Sequence, residues 1–187
     1  RSRGLGDVYK RQANGYVDGY VIQGSRLKKE SGGGVSQAAT TLFNAAFFSG
    51  VKIDEHHPHT LYFSRYPAGR EATLYYGHLD LRFTNNTKYG LVIQGIVNKS
   101  APGKQGSITF RIWSTKTWEA VKSTDLNKSG YYNVAPQTNS DADCEPQGAS
   151  PGFTVNYARL FIQNGQVAKR EPFRWTYSAT PQITCRR

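Results

Sequence analysis

The chain has 187 residues, of which 37% are apolar, and its formal net charge at pH 7 is +11. No apolar run approaches the roughly 20 residues of a membrane-spanning helix and no signal-peptide pattern is present, so we expect membrane contact only through an N-terminal anchor missing from this sequence. The charge suits an anionic partner, but the basic residues form neither a block nor a recognition-helix signature, which makes nucleic acid a weak interpretation.

The first twelve residues, RSRGLGDVYKRQ, are basic and show no hydrophobic periodicity. They resemble a translated sequencing-adapter artefact, and we predict that residues 1–12 are a non-native leader outside the fold. The domain is then expected to begin near Ala13, with short extended segments around glycines in NGYVDGYVIQGSRL.

One convincing helix follows the glycine run SGGGVSQ. Apolar side chains recur there at the spacing of a single helix face: Ala39, Leu42, Phe43, Ala46 and Phe47. Ser36 is a candidate N-cap, and Gly50 is a candidate for the residue just past the helix end. The sequence therefore predicts a helix from about 36 to 49.

Beyond Gly50 the hydrophobic period changes to two, in strand-like runs such as HTLYF, LDLRF and GSITFRIW. Residues 127–152 are rich in Asn, Ser, Pro, Gly and Asp, which indicates a loop, and a hairpin with Asn164-Gly165 as its turn follows. We predict an α+β fold: one buried helix packed on a mostly antiparallel sheet over residues 13–100, with a β-rich C-terminal extension over 101–187. The boundary near residue 100 could equally be a hairpin turn within one domain.

The two cysteines, Cys144 and Cys185, lie in this extension and show no metal-ligand spacing. We favour a disulfide formed in an oxidising compartment; the alternative is two unrelated buried thiols.

Ser36 has two interpretations. A glycine-rich turn that enters a helix leaves N–H groups free to hold an anion or a developing oxyanion, and several cysteine hydrolases place the nucleophile at such a helix start. Alternatively, Ser36 only caps the helix, which is common for serine.

A serine nucleophile needs a base, and the segment EHHPH supplies His57 and His59 as candidates. Asp80 could orient a histidine, and Arg70 could hold a substrate carboxylate. The structural alternatives are a turn whose rings pack on aromatic residues, a surface Arg70–Glu71 pair, and an Asp80 that bonds turn amides. HHPH lacks a convincing fourth metal ligand, so we expect neither a metal nor another cofactor.

Three consecutive motifs, GGGVSQAATTLFNAA, EHHPHTLYFSRYPAGREAT and LDLRFTNNTKYGLVIQG, closely resemble the VanW domain family over residues 13–98. The resemblance implies an exported cell-envelope protein, anchored or secreted, that acts on or near peptidoglycan. Some members are implicated as L,D-transpeptidases, and their motif reads GGGVCQ, with the nucleophilic cysteine at the position of Ser36. The C-terminal part resembles the extension of actinobacterial-type members.

The resemblance thus makes Ser36 the nucleophile position and His57 or His59 the candidate base. Supporting candidates, for substrate binding or orientation, are Gly34, Val35, Gln37, Arg70 and Asp80. Serine in place of cysteine removes a thiolate, so activity depends on a positioned base. We therefore expect either an acyl-transfer site that acts on peptidoglycan stem peptides, or a non-catalytic module that binds an anionic cell-wall polymer or serves as a structural domain of an exported protein.

Overall fold

The computed structural model describes residues 18–23, 26–31, 34–75, 77–142 and 144–186. The predicted leader 1–12 and the predicted start near Ala13 lie outside these residues. The elements in chain order are β1 (Asp18–Gln23), β2 (Arg26–Ser31), α1 (Val35–Ser49), β3 (Lys52–Glu55), β4 (Arg82–Thr84), β5 (Val92–Asn98), β6 (Ser107–Trp113), β7 (Ala120–Ser123), β8 (Asn127–Tyr132), β9 (Gln137–Asn139), β10 (Gly152–Gln163), β11 (Gln166–Tyr177) and β12 (Ile183–Cys185).

The prediction of an α+β fold is wrong. The described part of the chain is mostly β, and its strands form five sheets rather than one. Strands β1 and β2, β3 and β4, and β5 and β6 each pair antiparallel, β9 and β12 pair parallel, and β10 pairs with β11, β7 and β8. GSITFRIW and the end of LDLRF form strands, whereas HTLYF, residues 59–63, lies in the loop between β3 and β4. Most strands pair with one neighbour only, so no single sheet covers the helix.

Helix α1 begins at Val35, and Gly34 precedes it with a φ of 88° and no side-chain cap hydrogen bond. The alternative in which Ser36 is the N-cap is therefore wrong, because glycine occupies the turn and the serine lies inside the first helical turn. At the other end, Gly50 has the predicted left-handed conformation, with a φ of 82°, and its N–H bonds to Phe47 O. A Cβ at Gly50 would lie 2.9 Å from Trp118 Cδ1, so close packing also favours glycine there.

The buried face of α1 packs against the long β10–β11 hairpin. Phe43 and Phe47 have no exposed surface and share one apolar cluster with Val155, Tyr157 and Tyr177. Leu42, which the sequence places on this face, is only partly buried. The core therefore joins residues from both sides of position 100, and residues 99–106 connect the paired strands β5 and β6. The division into 13–100 and 101–187 stays a prediction.

Arg159 on β10 is the largest fully buried side chain and is 1% exposed. Its Nη1 donates to the carbonyl oxygens of Phe47 at 3.2 Å and Val51 at 3.0 Å, and its Nε donates to Glu171 Oε2 at 2.9 Å. The guanidinium thus supplies donors to carbonyl groups at and just beyond the C-terminal end of α1, and the Phe47 oxygen also accepts from Gly50 N–H at 3.4 Å.

The C-terminal region agrees with the sequence in two respects and differs in one. The predicted Cys144–Cys185 disulfide is present, with the two Cα atoms 5.8 Å apart. The hairpin turn lies at Asn164-Gly165, whose φ values are 53° and 72°. The segment 127–152, however, is not only a loop, because it contains β8, β9 and the first residue of β10. Strands β8 and β9 are exposed along most of their length, so their residues are mostly polar and show no hydrophobic alternation.

Candidate functional site

Ser36 lies in the first turn of α1, directly after the left-handed Gly34, and is partly buried. Its Oγ is 3.1 Å from Nε2 of His59, which lies in the loop between β3 and β4. The structure therefore brings together two residues that the sequence singled out separately. Ser36 lies in the first helical turn, and the segment after β3 places His59 next to it.

The other imidazole nitrogen of His59 contacts a carboxylate that was not among the predicted site residues. Nδ1 lies 2.9 Å from Oε2 of Glu71, a residue with no exposed surface, and His59 itself is only 7% exposed. An ionised carboxylate can only accept, so the proton of a neutral His59 belongs on Nδ1, and Nε2 is left to accept the Ser36 hydroxyl proton. Ser36, His59 and Glu71 thus form a nucleophile–base–carboxylate array.

Glu71 is itself held by residues far away in sequence. Its Oε1 accepts a hydrogen bond from the Tyr177 hydroxyl, and that hydroxyl accepts one from Gly69 N–H at 2.6 Å. Burial, followed by the hydrogen bond to Glu71, raises the pKa of Tyr177. The phenol therefore stays protonated and able to donate at any pH near neutrality.

His56 contacts the same segment through the backbone of Glu71. Its ring stacks on Phe43 with centroids 3.6 Å apart, and its Nε2 lies 2.6 Å from the backbone oxygen of Glu71. Burial lowers the pKa of His56 to about 4. The ring is then neutral at pH 7, and because a carbonyl only accepts, the proton is on Nε2.

Aromatic side chains enclose the His59 imidazole. Tyr66 stacks parallel to it with centroids 5.8 Å apart, and Phe63 meets it edge-on at 5.5 Å. The indole N–H of Trp175 donates to the backbone oxygen of His59 at 2.8 Å. These contacts restrict the plane of the imidazole and the position of its backbone, as a preorganised base requires.

The helix N-terminus provides donors beside Ser36. The first hydrogen bond of α1 runs from Ala38 N–H to Gly34 O at 3.0 Å. The N–H groups of Val35, Ser36 and Gln37 therefore have no acceptor inside the helix, and they carry the positive end of its dipole. Gly34, Val35 and Gln37 were predicted as supporting residues, and this is where the structure places them. A developing oxyanion next to Ser36 Oγ would meet these groups.

The remaining predicted residues lie outside the array. His57 contacts Glu55 at 3.2 Å and lines a cavity of about 800 Å³ whose lining includes neither Ser36 nor His59. Asp80 pairs with Arg82 at 2.6 Å and contacts no histidine among the described residues. The expectation that Asp80 orients the base is thus not matched by the geometry, because Glu71 occupies that position.

The Arg70 guanidinium lies over the rings of Phe47 and Phe48, 5.8 Å and 5.2 Å from their centroids, in the later turns of α1. Burial lowers the pKa of Arg70. The alternative of a surface Arg70–Glu71 pair is wrong, since Glu71 is fully buried and bonds His59 instead. The signal for Glu71 was present in the motif PAGRE, where a carboxylate follows shortly after the histidine cluster.

Across the part of the chain that the structure describes, no three histidine, cysteine or carboxylate side chains lie close enough together to hold a metal ion. Within the same residues, helix α1 lacks the length and apolar character needed to cross a membrane.

Comparisons with known proteins match the N-terminal part of the chain. The family model of the VanW-like proteins matches residues 7–113, a range that includes Ser36, His59 and Glu71 and starts inside the predicted leader. The uncharacterized protein YoaR of Bacillus subtilis (strain 168) is 35% identical over 80 residues, which are 43% of this chain and 26% of YoaR. The chain thus spans well under two thirds of that relative. No solved structure matches the chain significantly. Because the family model covers more than half of the sequence, the chain belongs to the VanW-like family.

Proposed function

We propose that this domain is a serine acyltransferase of the cell envelope, in which Ser36 is the nucleophile, His59 the general base and Glu71 the group that orients the base. The observation that carries the proposal is the continuous set of contacts from Ser36 Oγ through both imidazole nitrogens to a buried carboxylate. A serine that serves only as a surface or capping residue does not need a histidine whose second nitrogen is held in this way.

In the first step, Ser36 Oγ attacks the carbonyl carbon of a substrate amide while its proton passes to His59 Nε2. The amide oxygen becomes an oxyanion beside the helix N-terminus, where the N–H groups of Val35, Ser36 and Gln37 favour negative charge. Glu71 stabilises the imidazolium that forms, through the bond to Nδ1. Collapse of the intermediate breaks the C–N bond, and His59 returns the proton to the leaving amine.

In the second step, an amine or a water molecule attacks the acyl-serine ester. His59 takes a proton from this acceptor and then gives it to Ser36 Oγ as the ester bond breaks. An amine acceptor yields a new amide, which is transpeptidation, and water yields a free carboxylate, which is hydrolysis. The geometry of the array is the same for both outcomes, so the acceptor decides the reaction.

Membership of the VanW-like family supports a role at the cell envelope, and the resemblance to L,D-transpeptidase members supports peptidoglycan stem peptides as substrates. The Cys144–Cys185 disulfide supports an extracytoplasmic location, because such bonds persist in oxidising compartments. Serine instead of cysteine at position 36 is compatible with activity, since His59 supplies the base that a hydroxyl needs.

The test is to incubate the protein with disaccharide-tetrapeptide muropeptides and to follow the products by mass spectrometry. We expect an acyl adduct on Ser36 together with cross-linked dimers or shortened peptides, and we expect none of these with Ser36→Ala. Muropeptides that remain unchanged with the wild-type protein, with no adduct on Ser36, would exclude the acyltransferase.

A second candidate function, binding to an anionic cell-wall polymer without catalysis, has one observation in its favour. Arg170 and Arg174 lie on the exposed side of β11 and line a groove with Asn127 and Asn156. This function predicts binding to purified sacculi that survives Ser36→Ala and weakens as salt is added. Binding lost with Ser36→Ala but retained in Arg174→Ala would exclude it.

A further inference from the structure

The carboxylate of the candidate site is completed by a residue outside the segment that matches the family model. That match ends at residue 113, whereas the Tyr177 hydroxyl that donates to Glu71 Oε1 lies at the end of β11. Trp175 on the same strand donates to the backbone of His59. Strand β11 therefore contacts both the base and the carboxylate that orients it.

We propose that Tyr177 is a positioning residue for this site: its hydroxyl fixes the buried Glu71 carboxylate so that the other carboxylate oxygen holds the His59 imidazole toward Ser36. This inference rests on the proposed acyltransferase function and adds a role for the C-terminal part of the chain in it.

The Glu71 carboxylate depends on a small number of donors. Glu71 has no exposed surface, and among the described residues the side chains that bond its carboxylate are His59 and Tyr177. A buried carboxylate without enough donors rotates or takes up a proton, since burial disfavours its charge. Either change would free His59 from its orientation.

The hydrogen bonds around the Tyr177 hydroxyl determine the direction of its proton. The hydroxyl oxygen accepts from Gly69 N–H, so its own proton is directed to Glu71. Gly69 is held in turn, because its carbonyl accepts from the Tyr157 hydroxyl at 2.7 Å and a Cβ at Gly69 would lie 2.7 Å from Tyr157 Cε1. Its φ of 73° is also one that glycine adopts most readily. The Tyr177 hydroxyl thus donates to Glu71 from a position that is held by Gly69 and, through it, by Tyr157.

A purely structural tyrosine would have different consequences. It would contribute ring packing in the core cluster, where Tyr177 contacts Phe153 and Tyr62. Phenylalanine preserves that packing and removes only the hydroxyl. The variant Tyr177→Phe therefore separates the hydrogen bond from the ring.

The experiment uses the full chain with a fluorophosphonate probe, which needs no knowledge of the natural substrate. Ser36 Oγ forms a bond to phosphorus, the phosphorus–fluorine bond breaks, fluoride leaves, and the serine proton passes to His59. We expect Tyr177→Phe to lower the rate constant of labelling at pH 8 about tenfold, since a hydrogen bond to a charged group contributes on that scale.

A second readout is independent of catalysis. The ¹⁵N NMR shifts of the two His59 imidazole nitrogens show which nitrogen carries the proton. In the wild-type protein the contact between Nδ1 and Glu71 favours a single tautomer, protonated on Nδ1. Without the Tyr177 hydroxyl, Glu71 no longer holds the imidazole in one orientation, so we expect both tautomers to be populated in Tyr177→Phe.

The matched control is Tyr132→Phe. The Tyr132 hydroxyl contacts the backbone of Tyr177 at 3.4 Å and of Ala179 at 3.3 Å, but no residue of the array. Equal losses in both variants, or wild-type labelling and unchanged ¹⁵N shifts of the His59 ring in Tyr177→Phe, would overturn the inference. A wild-type protein that never labels at Ser36 would instead count against the acyltransferase, and the His59 nitrogen shifts would still decide the role of Tyr177.

Discussion

His59 Nδ1 lies 2.9 Å from Oε2 of Glu71, a carboxylate with no exposed surface. This contact determines which nitrogen of the imidazole carries the proton, and so it determines that the other nitrogen can act on Ser36. The pair is the centre of the candidate site, and most of the expected effects of substitution depend on it.

We expect Glu71→Gln to lower the rate of Ser36 labelling by a fluorophosphonate about a hundredfold or more. The amide keeps the size of the side chain but loses the charge that stabilises the imidazolium, and its NH₂ group can force the His59 proton onto Nε2. The rate is measured by mass spectrometry of the labelled serine. Glu55→Gln is the matched control, because Glu55 contacts His57 and not the array. Similar rates for the two variants would contradict the assignment of Glu71.

His59 and His57 differ in what they contact, and alanine variants should differ accordingly. We expect His59→Ala to lower the labelling rate by about a factor of 10² to 10⁴, the range for loss of a general base. The labelling rate of His57→Ala should stay within about twofold of wild type, because His57 contacts Glu55 and not Ser36, and so cannot act as its base. A larger loss in His57→Ala than in His59→Ala would show that the base has been misassigned.

Ser36→Cys introduces a thiol at the helix N-terminus and beside His59. The dipole and the imidazole favour the thiolate, so we expect the thiol pKa to lie clearly below the usual value of about 8.5. The measurement is the rate of alkylation by iodoacetamide as a function of pH, with Cys144 and Cys185 kept in their disulfide. A thiol that titrates at or above the ordinary value would indicate that the helix start does not stabilise an anion.

Acid should weaken the fold through His56. Burial lowers its pKa to about 4, below the value near 6.5 of an unfolded chain, so the unfolded state binds the proton first as pH falls. The free energy of unfolding is therefore highest above about pH 6.5. It falls as the pH is lowered toward 4, by on the order of 3 kcal/mol. The direct check is an NMR titration of the His56 ring, and a pKa near 6.5 in the folded protein would contradict this expectation.

Arg159→Met should destabilise the protein by about 3–5 kcal/mol, because it removes the buried partner of Glu171 and the donors to the carbonyls of Phe47 and Val51. Urea unfolding measures the loss. The matched control is Lys169→Met, which removes the other partner of Glu171. The Lys169 side chain is half exposed, and its Nζ lies 2.7 Å from Glu171 Oε1. Its cost should be below about 1 kcal/mol. Equal losses in the free energy of unfolding for the two variants would contradict a larger contribution from the buried Arg159.

Local patterns predicted the local features of this chain. The helix, the left-handed Gly50, the Asn164-Gly165 turn and the Cys144–Cys185 bond each depend on a few neighbouring residues or on a simple pairing rule. The predicted cap at Ser36 failed for an equally local reason: Gly34 already makes the turn, so the serine moves into the helix.

Features that depend on distant residues were not predictable in the same way. One oxygen of Glu71 contacts His59, and the other accepts from Tyr177, 106 residues away in sequence. Asp80 had the same chemistry in the sequence, but Arg82 holds it at the surface. The fold class failed similarly, since period-two runs indicate strands without showing which strands pair.

The packing of α1 on β10 and β11 has a consequence for the order of folding. The Gly69–Tyr177 bond joins residues 108 positions apart, and the Arg159–Phe47 bond joins residues 112 apart. During synthesis, Phe43 and Phe47 therefore lack their packing partners on β10 and β11 until those two strands have been made. Folds with such separated contacts form slowly and expose apolar surface meanwhile. We expect this domain to fold slowly, and we expect its folding yield to depend on chaperones that bind unfolded chains.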